Sequence, residues 1–470
     1  MNSRFVLGCK AVSILSGMLA CLLFVSSCKD SDEPDVLKDD VNTWIYKTMT
    51  DYYLWYDEIP AKNKLDFNQS PEDFFNSLLY LEEDGAVIYG QNYVFSRIEK
   101  KKGTAKSIDT SDSYGFDFAL YSLQDASYFY ARVIAVYPNS PASEAGLQRG
   151  DWILGVNSLN NITTAKALYA GGKTTFLIGE YDMERERLVF SKELPIGSSR
   201  AVEDTPFLKD TVLHIGEKNI GYLMYNTFSS GPTDNDNTYD DRLKQIFSSF
   251  KSRNVNEFVL DLRYNGGGLV SCAQLLTSLL VPASDLGKTF CLMEYNDKKK
   301  ELNQSLLLKK NSEMSNANLN LKRVYVLVGE ATASASEAVI NCLKPYAESV
   351  TLIGEKTVGK RVGSIIFGER EDYDYLLHPI VLRIYNGKHE ADYANGFTPD
   401  IYADELYSHE KLYPFGDARE TLFGIALAQI TGQTFRAAST SASAKSMDAN
   451  VTFPTLERRR VKGLIWDVEK

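Results

Sequence analysis

The sequence is poor in the side chains on which most metal and redox sites are built. It holds four histidines in 470 residues, His214, His378, His389 and His409, and none stands at a metal-ligand spacing such as HExxH. Of six cysteines, Cys9, Cys21 and Cys28 fall in the first 28 residues, and Cys272, Cys291 and Cys342 are isolated. An odd set of scattered cysteines offers neither a disulfide framework nor a CxxC metal site. Basic excess is missing too: 51 Lys and Arg against 62 Asp and Glu leave a net charge of -11, which argues against nucleic acid or an anionic membrane surface as the main partner. The Arg-rich stretch Glu457–Lys462 is local and reads as a solvated helix face. No metal, no cofactor and no nucleic acid are therefore expected. What the chain has is length for two or three domains and a hydrophobic content of 44% to fill them.

The first segment is built for export. Arg4 and Lys10 are followed by an apolar run, Ala11–Phe24, and then by Val25, Ser26, Ser27 and Cys28. Small residues before a cysteine resemble a bacterial lipobox. The resemblance implies a signal peptide over 1–27, lipidation of Cys28, and a membrane partner reached through that anchor. Residues 28–40 form an acidic linker, KDSDEPD at its head, too polar to fold alone. It is similar to the acidic export tag of Bacteroides-type surface lipoproteins, which implies an outer-membrane lipoprotein of the cell envelope exposed on the outer face. The other reading of the leader is an uncleaved signal anchor.

Beyond the linker the composition changes three times. Residues 41–102 read as a helical N-terminal domain, with Trp44, Ile45, Met49, Tyr52 and Tyr53 at helical spacing and Ser70-Pro71-Glu72 opening a second helix. Residues 107–198 alternate short strands with turns and include SPASEAGLQRGDWILGVN, Ser140–Asn157. Taken alone, this is a capped short helix and a turn. The pattern resembles a bacterial PDZ domain, a family in which a peptide adds as a strand to a sheet edge and its terminal carboxylate meets backbone N–H groups. That resemblance implies a peptide-binding loop at Tyr114, Gly115, Phe116 and Asp117. Residues 203–432 show apolar strands separated by helices, the pattern of an α/β domain with a mainly parallel sheet covered on both faces. Residues 433–470, with AASTSASAKS, read as a low-complexity tail.

Two short stretches of the α/β domain carry chemistry. In GEATASASEAVI, Gly329–Ile340, Ser334 and Ser336 fall where a strand turns into a helix, so free N–H groups and the helix dipole favour developing negative charge. Either serine could be a nucleophile. The N–H of Ala335 is one candidate oxyanion donor, and the glycine run Gly266–Gly268 after the strand FVLDLR exposes main chain for a second. A serine needs a base, and no histidine falls in a turn beside these strands. Lys360 ends the run VTLIGEKTVGK, 26 residues after Ser334, where a neighbouring parallel strand would deliver it to the same mouth of the sheet. Burial lowers a lysine's pKa and frees its amine, so a Ser-Lys dyad follows.

DLRYNGGG, GEATASASEAVI and GEKTVGK together resemble the three signature segments of the S41 peptidases, the carboxyl-terminal processing and tricorn-like proteases. The resemblance implies a crotonase-like (ClpP-like) α/β core and a serine endopeptidase acting on protein or peptide substrates. It places the nucleophile on Ser334, leaving Ser336 structural, and the base on Lys360. The oxyanion donors fall on Ala335, Gly267 and Gly268, and site-shaping roles fall on Asp261, Arg263 and Glu337. The sequence departs from the family at two positions, and the helical N-terminal segment is poorly covered by the resemblance. The serine-to-lysine interval is one residue longer, and Ser364 stands where processing proteases often carry a glutamine, which leaves its part in orienting Lys360 open. GEKTVGK also fits the opening of a phosphate-binding loop, but Arg361 occupies the Ser or Thr position that would hold magnesium. A penicillin-binding reading of Ser248–Lys251 fails because Val358 breaks the KTG triad. The remaining alternative is a catalytically inactive peptide-binding lipoprotein that kept both folds.

Overall fold

The computed structural model describes residues 40–101, 112–123, 128–157, 162, 165–233, 236–369, 373–407, 411–433, 449–452 and 455. The expected leader, Cys28 with its expected lipidation, and the basic stretch near the C-terminus lie outside the described residues.

The N-terminal segment opens with helix α1 (Val41–Tyr52) and short helix α2 (Pro71–Asn76), as the apolar spacing predicts. It is not helical throughout. Strands β1 (Gly85–Ile88) and β2 (Gln91–Val94) form a hairpin, and β3 (Arg97–Lys100) pairs outside the segment. Tyr89 and Gly90, with φ of 48° and 73°, supply the two left-handed residues of a tight hairpin turn, which the helical reading overlooks.

The next domain is an antiparallel sheet of β4 (Phe116–Leu123), β5 (Tyr130–Val136), β6 (Trp152–Val156), β7 (Thr174–Asp182) and β8 (Arg187–Ile196), with helices α3 (Pro141–Ala145) and α4 (Lys166–Tyr169). Ser140 caps α3 by accepting the Ser143 N–H, Pro141 stands in the first turn and Gly146, at φ 82°, ends it, so the capped helix expected at Ser140–Leu147 forms.

The third domain carries two sheets. Strands β9 (Phe207–Ile215) and β10 (Lys218–Tyr225) form an antiparallel edge, followed by helix α5 (Thr238–Ser252), β11 (Glu257–Asp261) and α6 (Val270–Leu280). Strands β12 (Thr289–Tyr295) and β13 (Gln304–Leu307) lead to α7 (Ser312–Ala317), β14 (Arg323–Val328), α8 (Ala335–Leu343) and β15 (Ser349–Gly354). Strands β16 (Val362–Ser364), β17 (Tyr375–His378), β18 (Ile380–Asn386), β19 (Ile401–Tyr402) and helix α9 (Thr421–Thr431) complete it. The main sheet runs β19-β15-β14-β11-β10-β9, parallel from β19 to β10; the second, β13-β12-β18-β16, is antiparallel, and β17 pairs with β3.

Alternation along β14 shows how the main sheet is buried. Val324, Val326 and Val328 join the core under α5, α6 and α8, while Tyr325 and Leu327 face α9. On that second face α9 contributes Leu422, Phe423, Ile425, Leu427 and Ile430, at about 1.5–3 kcal/mol for each side chain removed from water. One helix is not enough to cover it. Ala119, Tyr121, Ile134 and Trp152 from the β4–β8 domain complete the layer, so the cover expected on both faces of the sheet comes in part from a second domain. A buried ion network locks the two domains together: Arg149 reaches Glu405 at 2.6 Å, and Arg263 bridges Asp261 at 2.7 Å, Glu405 at 2.5 Å and Glu420 at 2.6 Å.

Among the described residues of the tail read as low-complexity is a strand. Strand β20 (Ala449–Thr452) pairs with β4 at the rim of the β4–β8 sheet.

Candidate active site

Strand β14 ends at Val328, and the chain passes through Gly329–Ala333 before α8 begins. Ser334 caps that helix with φ 63° and ψ -113°, a backbone conformation L-residues rarely adopt. Strain of this kind persists only where the surrounding structure over-determines the backbone. The Ser334 hydroxyl oxygen is buried and has no hydrogen-bond partner. Ser336 is otherwise engaged: its hydroxyl donates to the Asn265 carbonyl at 2.9 Å. Of the two serines at this turn, only Ser334 holds an uncommitted oxygen.

Three loops are stitched together here. The Thr332 hydroxyl donates to the Leu262 carbonyl at 2.9 Å and accepts the Gly329 N–H at 2.9 Å. Ala333 N–H donates to the Asn265 carbonyl at 3.2 Å, and Val358 N–H to the Thr332 carbonyl at 3.0 Å. At the centre lies the Glu337 carboxylate, fully buried. Its Oε1 accepts the Thr357 hydroxyl at 2.6 Å and the Gly359 N–H at 2.6 Å. Its Oε2 accepts the N–H of Ser334 at 2.9 Å and that of Lys360 at 2.8 Å. One oxygen atom thus ties the backbones of Ser334 and Lys360 to each other. Burial pushes the Glu337 carboxyl up to about 7, against the pull of its four donors.

Gly359, at φ 98°, swings the chain so that Lys360 turns inward, and a side chain there would strike the Ala394 carbonyl at 2.3 Å. The Lys360 ammonium lies 4.9 Å from the centre of the Phe95 ring. Burial pushes it down to about 8, Arg97 adds to the fall, and Asp84 and Glu337 oppose it. Asp84, fully buried and itself pushed up to about 6 by desolvation, accepts the Tyr53 hydroxyl at 2.8 Å and the Ser96 N–H at 2.9 Å. Asp84, Phe95 and Arg97 all come from the N-terminal segment, and no periodicity or motif in the sequence marks them as site residues. The β1–β2 hairpin joins them: Ile88 packs on Ala333 and Val358, the residues flanking Ser334 and Lys360. Beside it opens a cavity of about 600 Å³ lined by Ile88, Phe95, Glu330, Val358, Gly359 and Arg361.

Gly267 presses against the Ser334 loop. With φ 108°, it leaves room where a Cβ would lie 2.8 Å from Ser334 Cβ and 3.1 Å from Ala335 N. Its own N–H, expected as an oxyanion donor, donates instead to the Asn265 side-chain oxygen at 2.9 Å, because the Asn265 carboxamide folds back over the turn. Asp261 and Arg263, expected to shape the site, are members of the buried ion network: Arg263 donates to Asp261, and Asp261 also accepts the Tyr222 hydroxyl at 2.6 Å. Ser364 is buried in β16. His214, His378 and His389 are paired with Asn219, Glu99 and Glu294.

The loop Tyr114–Asp117 stands at the head of β4, where the PDZ resemblance places it, but it is not an open cradle. The Tyr114 N–H donates to the Tyr169 carbonyl at 3.0 Å and the Gly115 N–H to the Ser113 hydroxyl at 2.9 Å. The Asp117 carboxylate accepts the Tyr137 hydroxyl at 3.0 Å. Phe116 is buried in the domain core. Two of the amides expected to meet a terminal carboxylate are therefore committed within the domain.

Comparison with known proteins matches residues 219–403 to the model of peptidase family S41, residues 40–97 to that of the peptidase S41 N-terminal domain, and residues 132–170 to the PDZ domain. The chain is similar to a solved S41 protease from Bacteroides fragilis, with 38% identity and a TM-score of 0.73 over 83% of this chain and 97% of that one. It is 27% identical over 331 residues to the carboxy-terminal processing protease CtpA of Bacillus subtilis, covering 67% of this chain and 62% of that protein. With the carboxyl-terminal-processing protease of Picosynechococcus it shares 26% identity over 244 residues, or 50% of this chain and 52% of that protein. The chain thus spans between about half and three fifths of the length of these curated relatives.

Proposed function

The chain belongs to peptidase family S41, and from that premise we propose that it is a serine endopeptidase in which Ser334 is the nucleophile and Lys360 the general base. The observation that carries the reading is the Glu337 carboxylate oxygen shared by the N–H groups of Ser334 and Lys360, beside an unpartnered Ser334 hydroxyl. The core is read as crotonase-like on its three signature segments.

The neutral Lys360 amine takes the Ser334 proton as the oxygen attacks the carbonyl carbon of the scissile peptide bond. Negative charge forms on the carbonyl oxygen, with the N–H of Ala335 and that of Gly268 as its donors. The Lys360 ammonium returns the proton to the departing amine, leaving an ester on Ser334. Water then attacks the ester, Lys360 accepts its proton and returns it to the Ser334 oxygen, and the acid product leaves. Ser334 Oγ and Lys360 Nζ are not hydrogen-bonded here, so substrate entry must draw the amine off the Phe95 ring, a tightening common when catalytic groups meet their substrate.

Substrate is an extended protein segment captured at the PDZ domain. The internal commitment of the Tyr114 and Gly115 amides favours main-chain pairing along an edge over recognition of a free carboxylate. Anchoring to the outer membrane at Cys28, with exposure on the outer face, is proposed on the lipobox-like sequence alone. Purified protein lacking the leader is expected to cleave casein, and Ser334→Ala to lose the activity by at least about a thousandfold. Equal rates for the two proteins would refute the assignment.

A further inference from the structure

Strand β20 occupies a particular place. In the order β20-β4-β5-β6-β7-β8 it covers the flank of β4 that would otherwise be the open edge of the PDZ sheet. It runs antiparallel to β4, with Ala449 opposite Leu123, Asn450 opposite Ser122, Val451 opposite Tyr121 and Thr452 opposite Leu120. Rising residue number therefore leads toward the head of β4 and the loop Tyr114–Asp117. The pairing continues past the strand. The Thr455 hydroxyl accepts the Phe118 N–H at 3.0 Å and donates to the Phe118 carbonyl at 3.1 Å, so one side chain does for Phe118 what a partner backbone would do. Thr455 is buried, and Val451 packs into the layer between the PDZ domain and α9.

We propose that Ala449–Thr452, together with Thr455, are a tethered occupant of the peptide-docking edge of the PDZ domain, and that an extended substrate gains β4 only by displacing them. The inference rests on the reading that this domain captures peptide by strand addition. Three observations carry it: the segment lies on β4 itself, it runs antiparallel toward the loop where an added peptide's end would lie, and Thr455 extends the ladder with a reciprocal pair. The covalent link from α9 to it is the stretch 432–448, which is rich in Ser and Ala. A tether of this kind holds its segment at an effective concentration on the order of 1 mM, so a free peptide with an intrinsic Kd of about 0.1 mM would be weakened about tenfold.

The test uses the full-length chain with Ser334→Ala and, as probe, a fluorescein-labelled peptide copying residues 448–457. Successive N–H groups in a strand point to opposite sides, so Val451→Pro with Thr452→Pro must remove one that faces β4. This variant is expected to bind the peptide about tenfold more tightly than the parent. Thr455→Val, which keeps the shape and loses both Phe118 bonds, is expected to fall between them and to speed hydrogen exchange at the Phe118 amide. Equal affinity for all three proteins, or Phe118 exchange unchanged by Thr455→Val, overturns the proposal. Casein cleavage by the corresponding proteins with Ser334 intact is measured apart: tighter peptide binding without cleavage by any of them removes the peptidase reading and leaves the tethered strand standing.

Discussion

On the roles proposed for Lys360 and Glu337, the rate of peptide cleavage should depend on pH more steeply than a single base allows. Burial lowers Lys360 to about 8 and raises Glu337 to about 7. The two shifts have opposite sign and the same kinetic direction. Lysine is the active neutral amine above its lowered value, and the glutamate is the fourfold acceptor that fixes Ser334 and Lys360 only above its raised one. If both forms are required, activity relative to its alkaline plateau is about 1/20 at pH 7 and about 1/1,000 at pH 6, a fall of about fiftyfold; lysine alone would give a fall of about ninefold. Two substitutions fix the sign. Asp84→Asn removes a carboxylate that favours the ammonium form, moving the acid limb to lower pH, while Arg97→Met removes a cation that opposes it, moving the limb to higher pH. The assay is the initial rate on labelled casein from pH 5.5 to 9.5 at substrate well below saturation, where the profile reports groups of the free enzyme. A profile flat between pH 6 and 9, or both variants shifting the limb the same way, would show that Lys360 is not the titrating base.

Gly267→Ala is expected to lower activity by at least about a hundredfold, because the new methyl must push on Ser334 and Ala335 at the proposed oxyanion pocket. Stability should drop by about 1–3 kcal/mol from the φ of 108°; urea unfolding and casein cleavage read the two effects separately. Arg149→Met should cost about 3 kcal/mol or more by stripping one cation from buried Glu405, and wild-type stability in chemical unfolding would mean the buried ion network does not hold the PDZ domain to the core.

The approach of the Ser334 and Lys360 backbones to one Glu337 oxygen is readable in part because it is local twice over. Each residue follows its own apolar strand, and parallel neighbours β14 and β15 must end at the same mouth of the sheet. Ser336 could be told from Ser334 only by resemblance, since both suit a helix start; the Asn265 carbonyl that claims Ser336 comes from a distant loop. The family resemblance gives Glu337 a site-shaping role, but three of its four donors are backbone N–H groups, which every residue except proline carries and no sequence displays. Asn265 stood in the glycine run without any sign that its side chain would take the Gly267 amide. The hairpin over the site and the Asp84, Phe95 and Arg97 surroundings of Lys360 escaped because they come from a segment more than 250 residues away, with nothing but short strands to announce it. Strand β20 escaped for a related reason: ANVT is too brief to carry a period, and its partner β4 lies more than 300 residues earlier.

The backbone at Ser334 has an evolutionary corollary. A φ of 63° with ψ of -113° suits a residue with no side chain, and holding serine there costs about 1–3 kcal/mol of the molecule's stability. Selection for a firmer fold alone would install glycine at this position. A descendant relieved of its chemistry would therefore drift first at residue 334, and glycine there, with the rest of the three loops unchanged, would mark a retired copy.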